Sequence, residues 1–317
     1  MKTLTCYAAL CAALAMSGAV QAQTAFEDPL YQGRVLEFSL GLFAPFNSLQ
    51  DTLTTPNGGG AQVQSTDQLD FGPGGRLDAA YSQPWGSNSR LIVNLTGATA
   101  TGDETITIGG AIETFPGSYD DGYNLPAGWD IDPEVKTETL MLAVGREWML
   151  DDQWRISAGL KAGQASQDLM TNILDPGGVV VATQTTQSNN QMIGVFGGIS
   201  HYAAIDDNLG LRLSGTVGVM QNDFDYRYTS VRPGGIVDQD ITASESGTAI
   251  STQLSLRLER SLSKGGMLTF ELGFENLQGI GNGVDTFLDV AGTATTAQMG
   301  SDSIGSGYLG VGYAFQF

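Results

Sequence analysis

The chain has 317 residues, a formal net charge of −20, 43 glycines and a mean hydropathy of −0.04. This composition is unusual for a soluble α/β enzyme, and it suits a β-barrel whose strands face lipid on one side and a crowded interior on the other. No apolar stretch is long enough for a transmembrane helix, and we expect no nucleic-acid partner.

The first 22 residues have the features of a secretory signal peptide. Lys2 supplies the positive start, the run from Cys6 to Ala15 is apolar and short, and Val20-Gln21-Ala22 forms a cleavage site. The sequence therefore predicts a mature chain from Gln23, with residues 23–33 as a periplasmic segment. Both cysteines lie inside the signal, so the mature chain has no disulfide or thiol chemistry.

Apolar and polar residues alternate with a period of two along most of the remaining chain, which is typical of strands. The pattern predicts ten strands, around residues 36–42, 76–81, 91–96, 140–145, 156–163, 192–202, 211–219, 250–259, 268–275 and 308–317. An even number of strands places both chain ends on one side of a barrel. We therefore predict an all-β, transmembrane, antiparallel up-and-down barrel over residues 34–317. A further pair of strands in a long connection would make twelve.

The connections between these strands are of two kinds. Four are short (84–89, 150–153, 205–209 and 261–266), and tryptophans flank two of them, as expected of the periplasmic membrane interface. The long connections carry glycine pairs suited to tight turns, so we predict extracellular hairpins that continue beyond the lipid. The stretch from Phe115 to Lys136 departs from the alternation and is predicted to be irregular. Its carboxylates form a weak candidate cation site, with a solvated acidic loop as the alternative: Asp120, Asp121, Asp130 and Asp132.

The C-terminal strand, Tyr308 to Phe317, has one aromatic and aliphatic face and ends in a free phenylalanine. It resembles the closing strand of Gram-negative outer-membrane barrels. That resemblance implies pairing with the first strand, recognition of Phe317 by the barrel-assembly machinery, and a place in the outer membrane among its lipid and lipopolysaccharide. The segment from Phe71 to Tyr81 with Pro84-Trp85, and the segment from Trp154 to Leu160, resemble the Legionella-type pore-forming outer-membrane proteins. This implies a porin-like role and identifies no functional residue.

Charge is the most informative functional feature of the sequence. After residue 22 the chain has 13 basic and 34 acidic residues, and the predicted outer loops hold 22 of the acids against three bases, which is 3 − 22 = −19. Such an acidic vestibule would concentrate cations, whereas the alternative is simple surface solvation. The predicted pore-lining charges are nearly balanced: Glu37, Arg76, Asp78, Lys161, Arg212, Arg257, Glu259, Glu271 and Glu275.

These observations predict a narrow porin-like channel for small solutes with weak cation preference. The alternative is a closed barrel whose acidic surface hairpins serve a structural, partner-binding or cation-binding role. An outer-membrane hydrolase is less favoured, because the single histidine, His201, lies near a predicted periplasmic turn. We expect no cofactor and no enzymatic activity. The sequence leaves the solute and the oligomeric state open.

Overall fold

The computed structural model describes residues 33–46, 52–56, 64–65, 71–103, 105–107, 112–116, 123–125, 128–262, 266–285 and 298–317. The predicted signal peptide, Asp120 and Asp121 lie outside these residues. The described residues form fifteen strands: β1 (Val35–Pro45), β2 (Thr52–Pro56), β3 (Gln64–Ser65), β4 (Gly74–Pro84), β5 (Ser89–Asp103), β6 (Ile106–Thr107), β7 (Ile112–Pro116), β8 (Tyr123–Leu125), β9 (Asp130–Met149), β10 (Trp154–Leu174), β11 (Val180–Ala204), β12 (Leu209–Arg232), β13 (Ile236–Leu262), β14 (Gly266–Asp285) and β15 (Gln298–Gln316). In this part of the chain, no helix is long and apolar enough to cross a membrane.

Ten long strands close into an antiparallel ring, in the order β1, β4, β5, β9, β10, β11, β12, β13, β14, β15 and back to β1. The ring closes along the whole of β1, from the pair Val35 and Gln316 to the pair Pro45 and Ser306. Strand β6 adds two residues to the edge of β9, while β2, β3, β7 and β8 form a separate four-stranded sheet. The predicted ten-stranded, all-β barrel is confirmed, and none of the other described strands adds a pair to the ring.

The strands end at all four short connections predicted from the alternating sequence pattern. These connections lie at the same end of the barrel as the start of β1 and the end of β15. At the opposite end, Gly234 and Gly235 both adopt positive φ in the turn between β12 and β13, which explains why glycine is needed there. One prediction is wrong: the described part of the stretch from Phe115 to Lys136 is mostly strand. Phe115 and Pro116 end β7, Tyr123–Leu125 form β8, and the residues from Asp130 to Lys136 form the outer end of β9, which pairs with β10 along its whole length.

The outward face of the barrel divides into two zones. Around the end that carries the short turns, apolar side chains point outward, such as Leu40 (70 % exposed) and Leu160 (66 % exposed). We call this zone the apolar belt. Farther along the same strands the outward positions become polar, as where Val219 on β12 is followed by Gln221 and Asp223. Strands β9 to β13 are 20–27 residues long, whereas a tilted strand needs about 9–11 residues to cross a bilayer. They therefore extend well beyond the apolar belt, as predicted.

Strand β14 separates from β13 in this outer zone, while it stays paired with β15 as far as Asp285. Its pairing with β13 ends at Gln278, opposite Ile250, although β13 continues to pair with β12 as far as Ile236. The register of β14 shifts at Gly279, whose φ of +70° is accessible mainly to glycine. Beyond this point β14 contacts β11 and β12. The outer part of β14 is therefore folded into the barrel interior.

Candidate functional site: the barrel interior

The structure places all nine predicted pore-lining residues on the inward face of the barrel. Each of them lies two positions from buried or half-buried residues of the same strand, which share its inward face. Most of the nine side chains belong to two groups of ion pairs and hydrogen bonds. Whether these residues line a conducting pore stays a prediction. Their arrangement shows how a barrel can bury charge, because each carboxylate lies beside a guanidinium or a hydroxyl donor.

The first group lies near the end with the short turns. Arg212 on β12 donates two hydrogen bonds to Glu259 on β13, at 2.7 and 3.2 Å. Arg257 reaches across the interior to Glu37 on β1, at 2.6 Å, and its Nε lies 3.2 Å from Glu259. Thr269 donates a further hydrogen bond to Glu37. The group thus joins β12 and β13 to β1 through charge-assisted hydrogen bonds, which are the stronger kind.

The second group lies nearer the middle of the barrel, around Arg76. This guanidinium donates to Asp78 and Glu275, each at 2.8 Å, and stacks 3.7 Å from the centre of the Tyr308 ring. The Tyr308 hydroxyl donates to Glu271 at 2.9 Å. One guanidinium therefore holds two carboxylates, and an aromatic ring covers its face, a favourable position for a cation.

Lys161 completes the inward-facing set of predicted charges. Its ammonium donates a 3.0 Å hydrogen bond to the Ser251 hydroxyl. Within the described residues it forms no ion pair shorter than 4 Å. Lys161, Arg76 and Glu275 line one internal cavity of about 110 Å³, together with the apolar side chains of Met141 and Ile304.

Sequence reasoning missed three inward-facing charges, Arg90, Arg155 and Glu147. All three line a second cavity, of about 240 Å³, near the short-turn end. The signal was available, because Arg90 is in phase with Ile92 and Asn94, and Arg155 is in phase with Ser157 and Gly159. None of the three was among the predicted pore-lining residues. With them, the inward charges along the apolar belt balance at six basic and six acidic residues: Arg76, Arg90, Arg155, Lys161, Arg212 and Arg257 against Glu37, Asp78, Glu147, Glu259, Glu271 and Glu275.

An apolar layer lies across the interior on the outer side of the charged groups. It is built from inward side chains of β9 to β15, all of them buried except the partly buried Met141: Met141, Ala165, Met192, Met220, Ala249, Leu277, Ile280 and Ile304. On the opposite wall, the fully buried Phe43 packs with Ala98 and Ala100. The described side chains thus line the barrel at this level with apolar groups, which hydrated ions do not cross readily. The cavity of about 110 Å³ lies between the two walls, bordered by Phe43 on one and by Leu277 and Ile304 on the other.

The inward part of β14 is held by polar side chains just beyond the apolar layer. The side-chain oxygen of Asn190 accepts hydrogen bonds from the backbone N–H of Gly281, at 2.7 Å, and from the Asn222 amide, at 2.8 Å. Gly281 lies directly against the ring of Phe224, where a Cβ atom would overlap the ring. Glycine is therefore required at this contact, and the segment is fixed in the interior by specific contacts.

The weak candidate cation site is only partly described. Asp130 and Asp132 accept hydrogen bonds from Thr107 and Thr105, at 2.7 and 2.6 Å, and these bonds support the attachment of β6 to β9. Among the described residues, no three His, Cys, Asp or Glu side chains are grouped to hold a metal ion. For the described pair, the observed role is to connect two strands.

The two remaining residues singled out from the sequence lie on the outer surface of the barrel. Phe317 exchanges backbone hydrogen bonds with Arg34, at 3.0 and 3.2 Å, and its side chain is 66 % exposed. His201 points outward on β11 and packs against Trp154, with ring centres 4.6 Å apart. Phe317 is thus available for recognition, which stays a prediction, and His201 faces away from the interior charges.

Comparison with known proteins supports the fold. No protein-family model and no curated protein matches the sequence. Among solved structures, the chain is similar to the outer-membrane protease OmpT of Escherichia coli, with a TM-score of 0.52 and 12 % identity over 94 % of this chain and 100 % of that one. It also matches the toluene transporter TodX of Pseudomonas putida (TM-score 0.39, 10 % identity, 90 % of each chain). A third match is the translocator domain of the autotransporter NalP of Neisseria meningitidis (TM-score 0.40, 14 % identity, 90 % of this chain and 89 % of that one).

Likeness at such low identity concerns the fold and not the activity. The narrower resemblance to the Legionella-type proteins is not confirmed by these matches. The closed ring of ten antiparallel strands, the apolar belt and the similarity to OmpT agree with one another. This chain has the fold of the Gram-negative outer-membrane β-barrels.

Proposed function

We propose that this protein resides in the outer membrane as an occluded β-barrel, and that its acidic extracellular sheet is the functional surface that binds cationic partners. The observation that carries the proposal is the apolar layer, together with the inward part of β14 beyond it. The apolar layer built around Met192, Met220 and Leu277 lies between the charged groups and the outer mouth. The inward part of β14 occupies the space beyond it.

The extension of the barrel beyond the apolar belt supplies the surface. In this part of strands β9, β10 and β12, the outward-facing charged residues include only two bases, Lys136 and Arg227. The outward-facing acids that define the acidic extracellular sheet are Asp132, Glu134, Glu138, Asp168, Asp223 and Asp225. These strands form a continuous hydrogen-bonded sheet through β11. A rigid sheet presents its charges at fixed spacings, and a surface of one sign attracts partners of the opposite sign.

The proposal includes no catalytic role. The one histidine of the sequence, His201, faces outward next to Trp154, near the short-turn end of the barrel. The acidic residues of the extracellular sheet therefore have no histidine beside them to act as a general base. A cofactor is likewise not part of the proposed function.

The first test is conductance of the purified, refolded protein in a planar bilayer. An occluded barrel is expected to give no unitary current at moderate voltage. The double variant Met220→Ser/Leu277→Ser, which makes the apolar layer polar and smaller, is expected to admit ions and provides the positive control. Regular current steps from the wild-type protein would contradict the occluded barrel.

The second candidate function is the narrow, weakly cation-selective channel. It is favoured by the two internal cavities, of which the one of about 110 Å³ extends between the side chains of the apolar layer itself and the other lies toward the short turns. In that case the wild-type reversal potential should show cation preference. The preference should fade as salt rises, because attraction at the mouth is screened over about 8–10 Å at physiological ionic strength.

The proposed surface is tested separately, on intact cells with a fluorescent hexalysine peptide and cells without the protein as background. Binding above background is expected, and Asp223→Asn/Asp225→Asn should reduce it. The matched control is Asp206→Asn/Asp207→Asn, which removes an acidic pair at a short turn and should leave binding unchanged. Equal binding by cells with and without the protein would refute the surface function.

A further inference from the structure

The outer part of β13 has an open edge. Its pairing with β14 ends at Ile250, while its pairing with β12 continues to Ile236. Between Ile236 and Ala249, none of the described strands pairs with β13 on the side away from β12. A strand edge of this kind presents a row of backbone N–H and C=O groups that can pair with a further strand.

The middle of this edge, residues 242–248, is accessible from both faces of the sheet. Six of these seven residues are exposed, and Ala243 is partly buried against the aromatic cluster of β12. A Cβ atom added at Gly247 would meet no other atom within 4 Å. The segment contains no lysine, proline or register shift, features that commonly protect an edge from pairing. An extended chain therefore has room to lie along it.

Negative charge borders the open edge on both faces of the sheet. Glu245 lies on the inward face of β13, in phase with the buried residue at position 249. On the outward face, Ser244 and Ser246 lie opposite Asp225 and Asp223 of β12. Neighbouring strands are about 4.8 Å apart, so both aspartates lie one strand beyond the small serines. The edge is thus acidic on each side of the backbone groups that it offers.

From this geometry we propose that the open edge of β13 binds an extended basic peptide segment, which adds to the sheet as a further strand. The inference rests on the proposed function, because the acidic extracellular sheet supplies the attraction. Backbone hydrogen bonds along residues 242–248 hold the peptide, as in other cases of strand addition. Long basic side chains on its outward face extend over the serines toward Asp223 and Asp225, and a base on its inward face lies beside Glu245.

The charge of the edge also decides against a second copy of this chain as the occupant. The sequence has no basic residue between Arg232 and Arg257, whereas Asp238, Asp240 and Glu245 lie in that interval. Pairing of β13 with β13 of another copy would bring two acidic strands together, and like charges on neighbouring strands are destabilising. A basic partner removes this repulsion, so the edge selects for positive charge.

The test is binding of a fluorescein-labelled peptide, Lys-Thr repeated to eight residues, to the refolded protein in neutral detergent, followed by fluorescence anisotropy. Two further forms of the peptide carry N-methyl groups on the backbone nitrogens of the lysines or of the threonines, which leaves the charge unchanged. Successive residues of a strand direct their hydrogen-bonding groups to opposite edges. One methylated form should therefore bind about tenfold or more weakly, because it lacks several hydrogen bonds, and the other should bind as the unmodified peptide does.

The outcomes separate this proposal from the proposed function. Equal affinity of the three peptides, or equal losses in both methylated forms, would overturn strand addition, and continued binding of hexalysine would then leave the acidic surface as the functional one. Binding of neither hexalysine nor the Lys-Thr peptide would overturn both proposals. A dimer that excludes the peptide, detected by analytical ultracentrifugation, would identify a second copy as the occupant and would also overturn strand addition.

Variants assign the binding to β13. Of the neighbouring substitutions Ser246→Pro and Gly247→Pro, one removes an N–H that points to the open edge and keeps the pairing with β12. That variant should fold and bind the peptide about tenfold or more weakly, and unchanged binding by it would overturn the proposal. Glu245→Gln should weaken the peptide about two- to fivefold, and the matched control is Glu134→Gln, an exposed acid on β9 away from the edge. An effect of Glu134→Gln as large as that of Glu245→Gln would likewise overturn it. If neither proline variant folds, the three peptides with the wild-type protein decide the question.

Discussion

Strand β13 allows the position of the membrane to be tested by a single charge. Its outward side chains from Ile250 to Leu262 are apolar except for Thr252 and Arg260, and this run covers 262 − 250 = 12 residue steps. At about 3.4 Å per residue and a tilt of about 45°, these steps span about 29 Å along the membrane normal. That length matches the hydrocarbon thickness of a bilayer, about 30 Å. Leu256, 43 % exposed, lies at its middle.

Replacement of Leu256 by arginine should therefore place a charge at the midplane of the lipid. The expected loss of folding free energy is about 2–4 kcal/mol, whereas Leu262→Arg, about 14 Å from the midplane, should cost about 0–1 kcal/mol. Both leucines are outward-facing residues of the same strand. The difference between the variants thus measures depth and not the chemistry of the substitution.

The measurement is reversible urea unfolding of the protein in lipid vesicles, followed by tryptophan fluorescence. The same experiment with Leu256→Ala separates the cost of the charge from the loss of the leucine side chain. Equal losses for Leu256→Arg and Leu262→Arg would refute a membrane midplane at Leu256. A larger loss at Leu262 would move the midplane toward the short turns, and with it the assignment of every charged residue along the belt.

Three further predictions test the interior, the sidedness and the outer surface. Arg257→Leu leaves buried carboxylates without their partner and should destabilise the barrel by about 3–5 kcal/mol in the same urea assay; a neutral effect would show that the ion pairs do not stabilise the fold. A peptide tag inserted at Gly234 should bind antibody on intact cells, whereas one at Asp206 should bind only after permeabilisation, and the reverse pattern would invert the topology. On the outer surface, the hydrogen bond from Arg227 holds the pKa of the Asp240 carboxyl below its usual range. The pair therefore stabilises the folded protein at pH values above the usual aspartate pKa, and this stabilisation is lost as the pH falls through the lowered pKa of Asp240. In Arg227→Gln, an NMR titration should show a higher pKa for Asp240. An unchanged pKa would exclude the Arg227 pair as the cause.

The apolar belt and the turns could be read from the sequence because strand geometry is local. Successive side chains of a strand point to opposite faces, so alternation alone indicated that Leu256 faces outward and Arg257 inward, and the structure has both in these orientations. The same periodicity gave the ten strands and the four short turns. Arg90 and Arg155 follow this pattern as well, so their inward direction could have been predicted in the same way.

The partners of the inward charges depended on the closed ring. Arg76 and Glu275 are 199 residues apart in sequence, and Glu37 and Arg257 are 220 apart. No local pattern relates such residues, because the stagger of neighbouring strands around the barrel decides which of them reach the same level. The sequence therefore supplied nine of the twelve inward charges described along the belt, and the tertiary structure paired them.

The apolar layer and the inward turn of β14 likewise depended on tertiary structure. The small inward residues of the belt, such as Gly159 and Gly218, suggested space, but alternation says nothing about what enters from another part of the chain. Strand β14 turns inward where Gly279 interrupts its register, and Gly281 then fits against Phe224 of β12. The sequence thus determined which face of the barrel wall each strand residue occupies, because successive residues of a strand alternate between the two faces. The inward position of β14 was determined only by the fold, because it depends on contacts between strands that are distant in sequence.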